Sequence, residues 1–333
     1  MIAWTQYADE RLLEERICDL DLQIERTPLA PRVARLYEEL DARGITFKPR
    51  CWLSNEWFSP DGTPGIALPF YLSHPRLMRL EKQQMLVVEG GNQRSCMMLL
   101  RHEAGHALDT AYRLHYRKRW RESFGRFTEP YPRHYRPNPN SRNYVLHLDS
   151  WYAQAHPAED WAETFAVWLT PRSGWRSQYA SWPVARRKLE FVDELMSEIA
   201  GKAPAVKKRA RVDHVSTLRQ TLGDYYADKR DRYKVGWSAG YDEDLQRIFS
   251  IRGRETAVQF LRRNRREIRD SVARWTGAHR YTVDQVLEEV IDRCRQLRLR
   301  VALPKGDARM QAAVMLTVHT MNSMKAGRHE IPV

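Results

Sequence analysis

The sequence is short of the features that assign a protein class at a glance. Its four cysteines, Cys18, Cys51, Cys96 and Cys294, lie far apart and form no C-x-x-C pair. That spacing implies neither a zinc knuckle nor a disulfide framework, and the residues read as ordinary reduced thiols. No apolar run approaches the roughly 18 residues of a membrane-spanning helix, so no span is expected. The start, MIAWTQYADERLLEER, turns acidic and amphipathic, without the basic region and continuous apolar core of a secretory signal. A cytoplasmic protein that does not engage a membrane is therefore expected. No internal repeat or low-complexity tract stands out.

Acidic residues are also in the minority. Against 42 Asp and Glu stand 55 Lys and Arg, a net charge of +13. Such a balance favours anionic partners such as nucleic acid, acidic proteins or a membrane surface, with a plain solvated basic face as the simpler reading. With 333 residues, 42% of them hydrophobic and 11% aromatic, the chain can build a substantial core and fits two domains better than one.

What is present is concentrated in His102-Glu103-Ala104-Gly105-His106, inside an apolar-periodic run from about Gln93 to His115. Residues four apart on a helix sit one above the other, so His102 and His106 would address one point, with Glu103 a step round the cylinder. Two imidazoles suit zinc, and a neighbouring carboxylate can take a proton from a metal-activated water. Cys96, Leu99, Leu100, Ala104, Ala107, Leu108, Ala111 and Leu114 keep an apolar stripe away from the histidines. Asp109 falls on the histidine side, either as a carboxylate behind the ligands or as a surface residue near the helix end.

Upstream, Leu12, Leu13, Ile17, Leu20 and Ile24 predict a helix over about 7–25, and a second runs from near Pro31 to Arg43 with Gly44 as its stop. ITFKPRCWLS and GIALPFYLS, separated by the turn-rich SPDGTPG, read as a small antiparallel sheet. Residues 66–72 are either an edge strand able to pair with an extended substrate or a plain hairpin over the helix. The basic, proline-broken stretch 113–142 cannot sustain a regular helix and could cover a cleft. Its His115 and His134, with His147 just beyond, are poor ligand candidates, because a lone loop histidine is usually only solvated.

The second informative stretch is Tyr152 to Leu169, YAQAHPAEDWAETFAVWL. Pro157 suits the first turn of a helix, Glu159 and Asp160 suit its positive end, and Pro171 marks the stop. Trp161, Phe165, Trp168 and Leu169 supply an apolar face, while Glu159 and Glu163 share another. Stacked carboxylates on a core-facing helix need a cation or donors, which a zinc ion and its histidines would provide. Asp160, about 100° round the helix, and His156 are rival ligands.

HEAGH followed by PAEDWAETFAVWL resembles the glutamate-ligand zincins, or gluzincins, and most closely their lethal-factor-like members and the zinc-binding metallopeptidases of bacteria. The resemblance covers roughly residues 45–195. It implies an α+β fold with a zincin-like domain of a small antiparallel sheet and active-site helices. It implies one zinc ion on His102, His106 and Glu159, with Glu163 orienting a ligating histidine. It also gives Tyr152, seven residues ahead of Glu159, the task of assisting the oxyanion, and Glu103 the role of general base in peptide hydrolysis. His106 is followed by ALDTAYRLH, without the Gly and His of metzincins.

The expected organisation is N-terminal helices over 1–44 packing on a catalytic domain over 45–200, a basic linker over 201–211, and an all-α domain over 212–333. Helices are expected over about 212–233, 243–250, 254–275, 283–299 and 307–325. The last part carries no catalytic constellation. Arg262, Arg263, Arg265 and Arg266 could touch phosphates, or form a solvated face laced with Glu255, Glu267 and Asp270. The runner-up function is accordingly a basic, nucleic-acid-associated protein with a structural or non-hydrolytic zinc site.

Overall fold

A computed structural model describes residues 3–132, 134–135, 137–138, 140–232, 241–325 and 331–332. They divide into two compact units. The first consists of residues up to Gln83 together with Val88–Tyr225, and the second of Gln84–Val87 and the chain from Tyr226 onward. Both are mainly helical with small sheets, compatible with an α+β class.

The first unit holds α1 (Asp9–Leu13), α2 (Leu29–Asp41), β1 (Arg50–Ser54), β2 (Gly65–Pro69), most of α3 (Pro75–Met85), α4 (Gln93–Tyr112), α5 (Lys118–Phe124), α6 (Pro157–Leu169), α7 (Trp175–Gln178) and α8 (Pro183–Ile199). The ends follow local chemistry. Asn92 caps α4 by accepting from the Ser95 N–H at 2.9 Å, and Arg113 ends it in the left-handed region at φ 52°. At α6, His156 is the N-cap and Pro157 the first residue, while Gly44 at φ 73° lies past the end of α2.

Three expectations give way to tertiary pairing. The first helix is cut to α1 and a short 3-10 turn, Ile17–Leu20, because the intervening backbone pairs with 218–222. Ile17 N–H donates to Gln220, Cys18 N–H to Leu218, and Leu222 N–H to Glu15. Next, β1 and β2 pair in parallel, Arg50 beside Gly65 through Ser54 beside Pro69, so the sheet is not the antiparallel one expected. Residues 55–64 carry the chain back to the starting end before β2 begins, and on the way Phe58 takes the N–H of Ala67 at 2.8 Å. Finally, β2 is flanked by β1 and Phe58, is buried throughout, and passes into a 3-10 turn at Phe70. Residues 66–72 therefore offer no free edge to a substrate.

The core lies around α4 and α6. Ile66, Leu68, Leu100, Ala104, Leu108, Trp161, Phe165 and Leu189 are fully buried, and Trp120 and Phe124 of α5 pack their rings 6.3 and 5.6 Å from Trp161. One buried ion pair ties α2 to α4: Arg101 donates from Nε and Nη2 to both Glu39 oxygens at 2.7 and 2.8 Å. Residues 201–211, read from sequence as a linker, are fastened to this unit. The N–H groups of Ala205 and Val206 both donate to Ala111, and just beyond, Trp52 Nε1 reaches the Val212 carbonyl at 2.8 Å.

The second unit contains α10 (Tyr241–Ile248), α11 (Ala257–Thr276), α12 (Arg280–Gln296) and α13 (Lys305–Lys325), after α9 (Leu222–Arg232) has crossed the boundary. The first helix expected here begins at Leu222 rather than Val212, where Thr221 Oγ1 accepts from Asp224 N–H. Its expected end at Tyr233 lies outside the described residues. Phe260, Leu261, Val272, Val283, Leu287, Val290, Ile291 and Leu316 form the core. The unit is not wholly helical, because Phe249–Ser250 pairs antiparallel with Arg300–Val301. Across the arginine run lie carboxylates: Arg263 meets Glu255 at 2.6 Å, Arg265 meets Asp284 and Glu288, and Arg266 lies 3.9 Å from Asp270. No helix among the described residues is long and apolar enough to cross a membrane.

Removing one partner of a buried ion pair strands the other charge at a cost of about 3–5 kcal/mol. Glu39→Ala should lower stability by that order in chemical denaturation, whereas Glu190→Ala, which removes an exposed i,i+4 pair with Arg186, should change it by less than about 1 kcal/mol.

Candidate metal centre

Two helices build the site, and each contributes through residues four apart. His102 and His106 stand on α4, Glu159 and Glu163 on α6. His102 meets Glu163, through Nδ1 to Oε1 at 2.8 Å, while His106 meets Glu159 at 3.3 Å. The helices thus run antiparallel at the contact, and the shared period aligns both rows.

The crossing is close because its centre is small. A Cβ on Gly105 would fall 3.0 Å from the Ala162 Cα and 3.2 Å from the Phe165 ring. Trp161 Nε1 donates to the Gly105 carbonyl at 2.8 Å, pinning the crossing by hydrogen bond as well. Both helices are buried nearly all round, so α4 has no open chemical face along its length, and the site lies between packed elements.

Among the described residues, His102, His106 and Glu159 form the one cluster able to hold a metal ion. His102 Nε2 lies 3.1 Å from His106 Nε2 and 3.0 Å from Glu159 Oε2, and His106 Nε2 lies 3.3 Å from the same oxygen. Ligands about 2.0–2.1 Å from a tetrahedral zinc ion stand roughly 3.3 Å apart. The triangle is thus the size of one face of that tetrahedron, and two imidazoles with one carboxylate are a donor set that zinc accepts. Behind it, Glu163 takes the Leu148 N–H on Oε2 at 2.9 Å, which leaves Oε1 aimed at His102.

Electrostatics follow from burial. Burial alone would lower the pKa of His102, but hydrogen bonds and charge from Glu159 and Glu163 raise it well above the ordinary imidazole value. Burial would raise Glu159, and the two histidines instead hold it well below the usual carboxylate range. Glu103 is pushed up, mainly by burial, and its Oε2 has no hydrogen-bond partner among the described residues.

The structure sorts the other sequence candidates. The Tyr152 ring lies 5.7 Å from His102, tilted by 46°, on a 3-10 turn in which Trp151 takes a left-handed φ of 55°. Asp160 turns away to Lys188, with Oδ2 and Nζ 2.5 Å apart, and burial pushes its carboxyl up to about 7 against that lysine. His156 is a cap, its Nδ1 accepting from Ala158 N–H at 3.1 Å. Asp109 bonds His115 at 2.5 Å and makes no hydrogen bond to His102 or His106 among the described residues. His147 points to the Met98 carbonyl, on the wall of a separate cavity of about 670 Å³ that none of the triad lines. The His134 side chain lies outside those described.

Two residues went unnoticed in the sequence. Tyr131 donates its hydroxyl to Glu159 Oε1 at 2.9 Å, and the Tyr135 ring lies 6.2 Å from that of Tyr152. Both belong to a proline-broken stretch with no period to mark a face. The available signal was only a cluster of tyrosines close ahead of the carboxylate helix.

A family model described as "Putative zinc-binding metallo-peptidase" matches residues 79–193, a span that includes α4, α6 and all that joins them. The match and the triad support a zinc metallopeptidase. Neither curated proteins nor solved structures gave a match.

Since the crossing depends on a missing side chain, Gly105→Val should force α4 and α6 apart. The expected result is a loss of about 1–3 kcal/mol in stability, with zinc uptake reduced in metal analysis of the folded fraction.

Proposed function

We propose that the chain is a zinc-dependent metallopeptidase of the glutamate-ligand type, acting on peptide or protein substrates. The observation that carries the reading is the triangle of His102 Nε2, His106 Nε2 and Glu159 Oε2, with edges of 3.0–3.3 Å, backed by Glu163. These three residues would hold one zinc ion. The ion, when bound, would polarise the scissile carbonyl and lower the pKa of a water toward about 7.

The remaining work belongs to side chains. Glu103 would act as general base, accepting a proton from the attacking water and delivering it to the leaving amine. Its free Oε2 and burial-raised pKa suit a group that must both take and hold a proton. Tyr152, over His102, would donate its hydroxyl to the developing oxyanion. Glu163 keeps His102 oriented by accepting from its Nδ1–H, which leaves Nε2 free as the donor atom. Asp109, bonded to His115, would steady the last turns of α4 rather than orient a ligand. The four unpaired thiols, two of them buried, support placement in a reducing compartment such as the cytoplasm.

Glu103→Gln should retain stoichiometric zinc while hydrolysis of a mixed peptide library falls by about 10²–10⁴-fold, and full turnover by this variant would remove the general-base role. His102→Ala and Glu159→Ala should both lose zinc on dialysis. Undiminished metal in Glu159→Ala would move the third ligand elsewhere.

A further inference from the structure

We infer that Tyr131 is a positioning residue for the candidate metal centre, holding the outer oxygen of Glu159 so that the carboxylate presents Oε2 alone to the two histidines. The inference rests on the zinc reading above and concerns how the third ligand is kept in place.

Glu159 divides its two oxygens. Oε2 faces His102 and His106 at 3.0 and 3.3 Å, and Oε1 receives the Tyr131 hydroxyl at 2.9 Å. The tyrosine, half exposed, is held on one face. Its ring stacks on His156 with centroids 3.8 Å apart and planes 18° from parallel, and His156 Nδ1 accepts from Ala158 N–H, so its Nε2–H donates to the Glu129 carbonyl at 2.8 Å. At the start of the same strap, Gly125 has φ 110°, and a Cβ there would come 3.1 Å from Pro157. Contacts at His156, Pro157 and Glu159 therefore bind the strap to the first turn of α6. Pro130 and Pro132 on either side of Tyr131 restrict the backbone that presents it.

The consequence concerns coordination number. A carboxylate free to rotate can offer both oxygens to an ion, filling a position that hydrolytic zinc sites keep open. With Oε1 engaged by a charge-assisted hydrogen bond, Glu159 offers one. His102 is oriented from behind by Glu163, and Glu159 is oriented in the same sense by Tyr131.

The test uses the full chain with Tyr131→Phe, which keeps the ring on His156 and removes only the hydroxyl, and Tyr131→Leu, which removes both. Zinc affinity is read by competition with a chromophoric chelator, coordination by the visible absorption of the cobalt-substituted protein, and fold by thermal unfolding without metal. The expected result for Tyr131→Phe is an affinity lower by about 10–100-fold and a changed cobalt spectrum, at an unaltered metal-free midpoint. Tyr131→Leu should lose at least as much affinity and also lower the midpoint. Affinity within about twofold of wild type, with the same cobalt spectrum, would overturn the role of Tyr131 while leaving the metal centre intact. Wild-type protein that takes up no zinc would overturn the metal reading itself.

Discussion

The close crossing of α4 and α6 is the constraint on which the site depends. Two helices without a side chain between them at Gly105 can approach until the backbone of one meets the small residues of the other. At that separation a histidine and a glutamate on facing turns reach each other directly. A larger residue at the crossing would leave the same four side chains in the same order along each helix, with Glu159 too far from His102 and His106 to close the triangle. Trp161 serves this geometry twice: its indole N–H fixes the Gly105 carbonyl, and its ring fills the space beside the crossing against Trp120 and Phe124.

Burying so many carboxylates would be prohibitive if they were equivalent, since each unpaired buried charge costs several kcal/mol. The helical screw separates them. Glu159 and Glu163 point to the histidines, while Asp160, one position on, points to Lys188, which also donates to the Asn143 carbonyl and sits 4.3 Å from the Tyr144 ring. Asp109 goes to His115, whose ring stacks on Phe127 at 4.1 Å. The first turn of α6 is a favourable place for negative charge, because its free N–H groups carry the positive end of the helix dipole. Neighbours in sequence thus serve separate ends: one toward the candidate metal, another toward the packing of α6 on α8.

This sorting explains how much of the site could be read without coordinates. The four-residue spacings in HEAGH and AEDWAE state which side chains share a face, and Pro157 and Pro171 bracket the second helix, so the two halves were legible from residue types alone. The choice of Glu159 over Asp160 rests on its alignment with Glu163 together with the spacing of the zincins that the sequence resembles. Strand direction was not legible, because the reversal within 55–64 and the bridge of Phe58 to Ala67 depend on the path of a loop. Nor was the break after Leu13, where pairing with 218–222 overrides a helical pattern. Tyr131 was hidden for a related reason: a stretch rich in proline has no period, and its contacts are set only by where the strap lands.

The groups around the candidate ion therefore come from two kinds of structure. Those placed to hold it stand on helices locked into the core, where a shift of one residue would require the whole crossing to move. The tyrosines nearest to it, Tyr152 beside His102 and Tyr131 on Glu159, stand instead on irregular segments tied back to the helices by a few contacts. Leu148 N–H on Glu163 tethers the turn carrying Tyr152, and His156 tethers the strap carrying Tyr131. A metal triangle needs its donor atoms fixed to within about half an ångström, which regular elements supply best. Irregular segments can shift without unpacking the core, so the tyrosines are free to adjust where the triangle is not. Because both tethers end on α6 or its cap, the helix that carries Glu159 also sets where Tyr152 and Tyr131 sit.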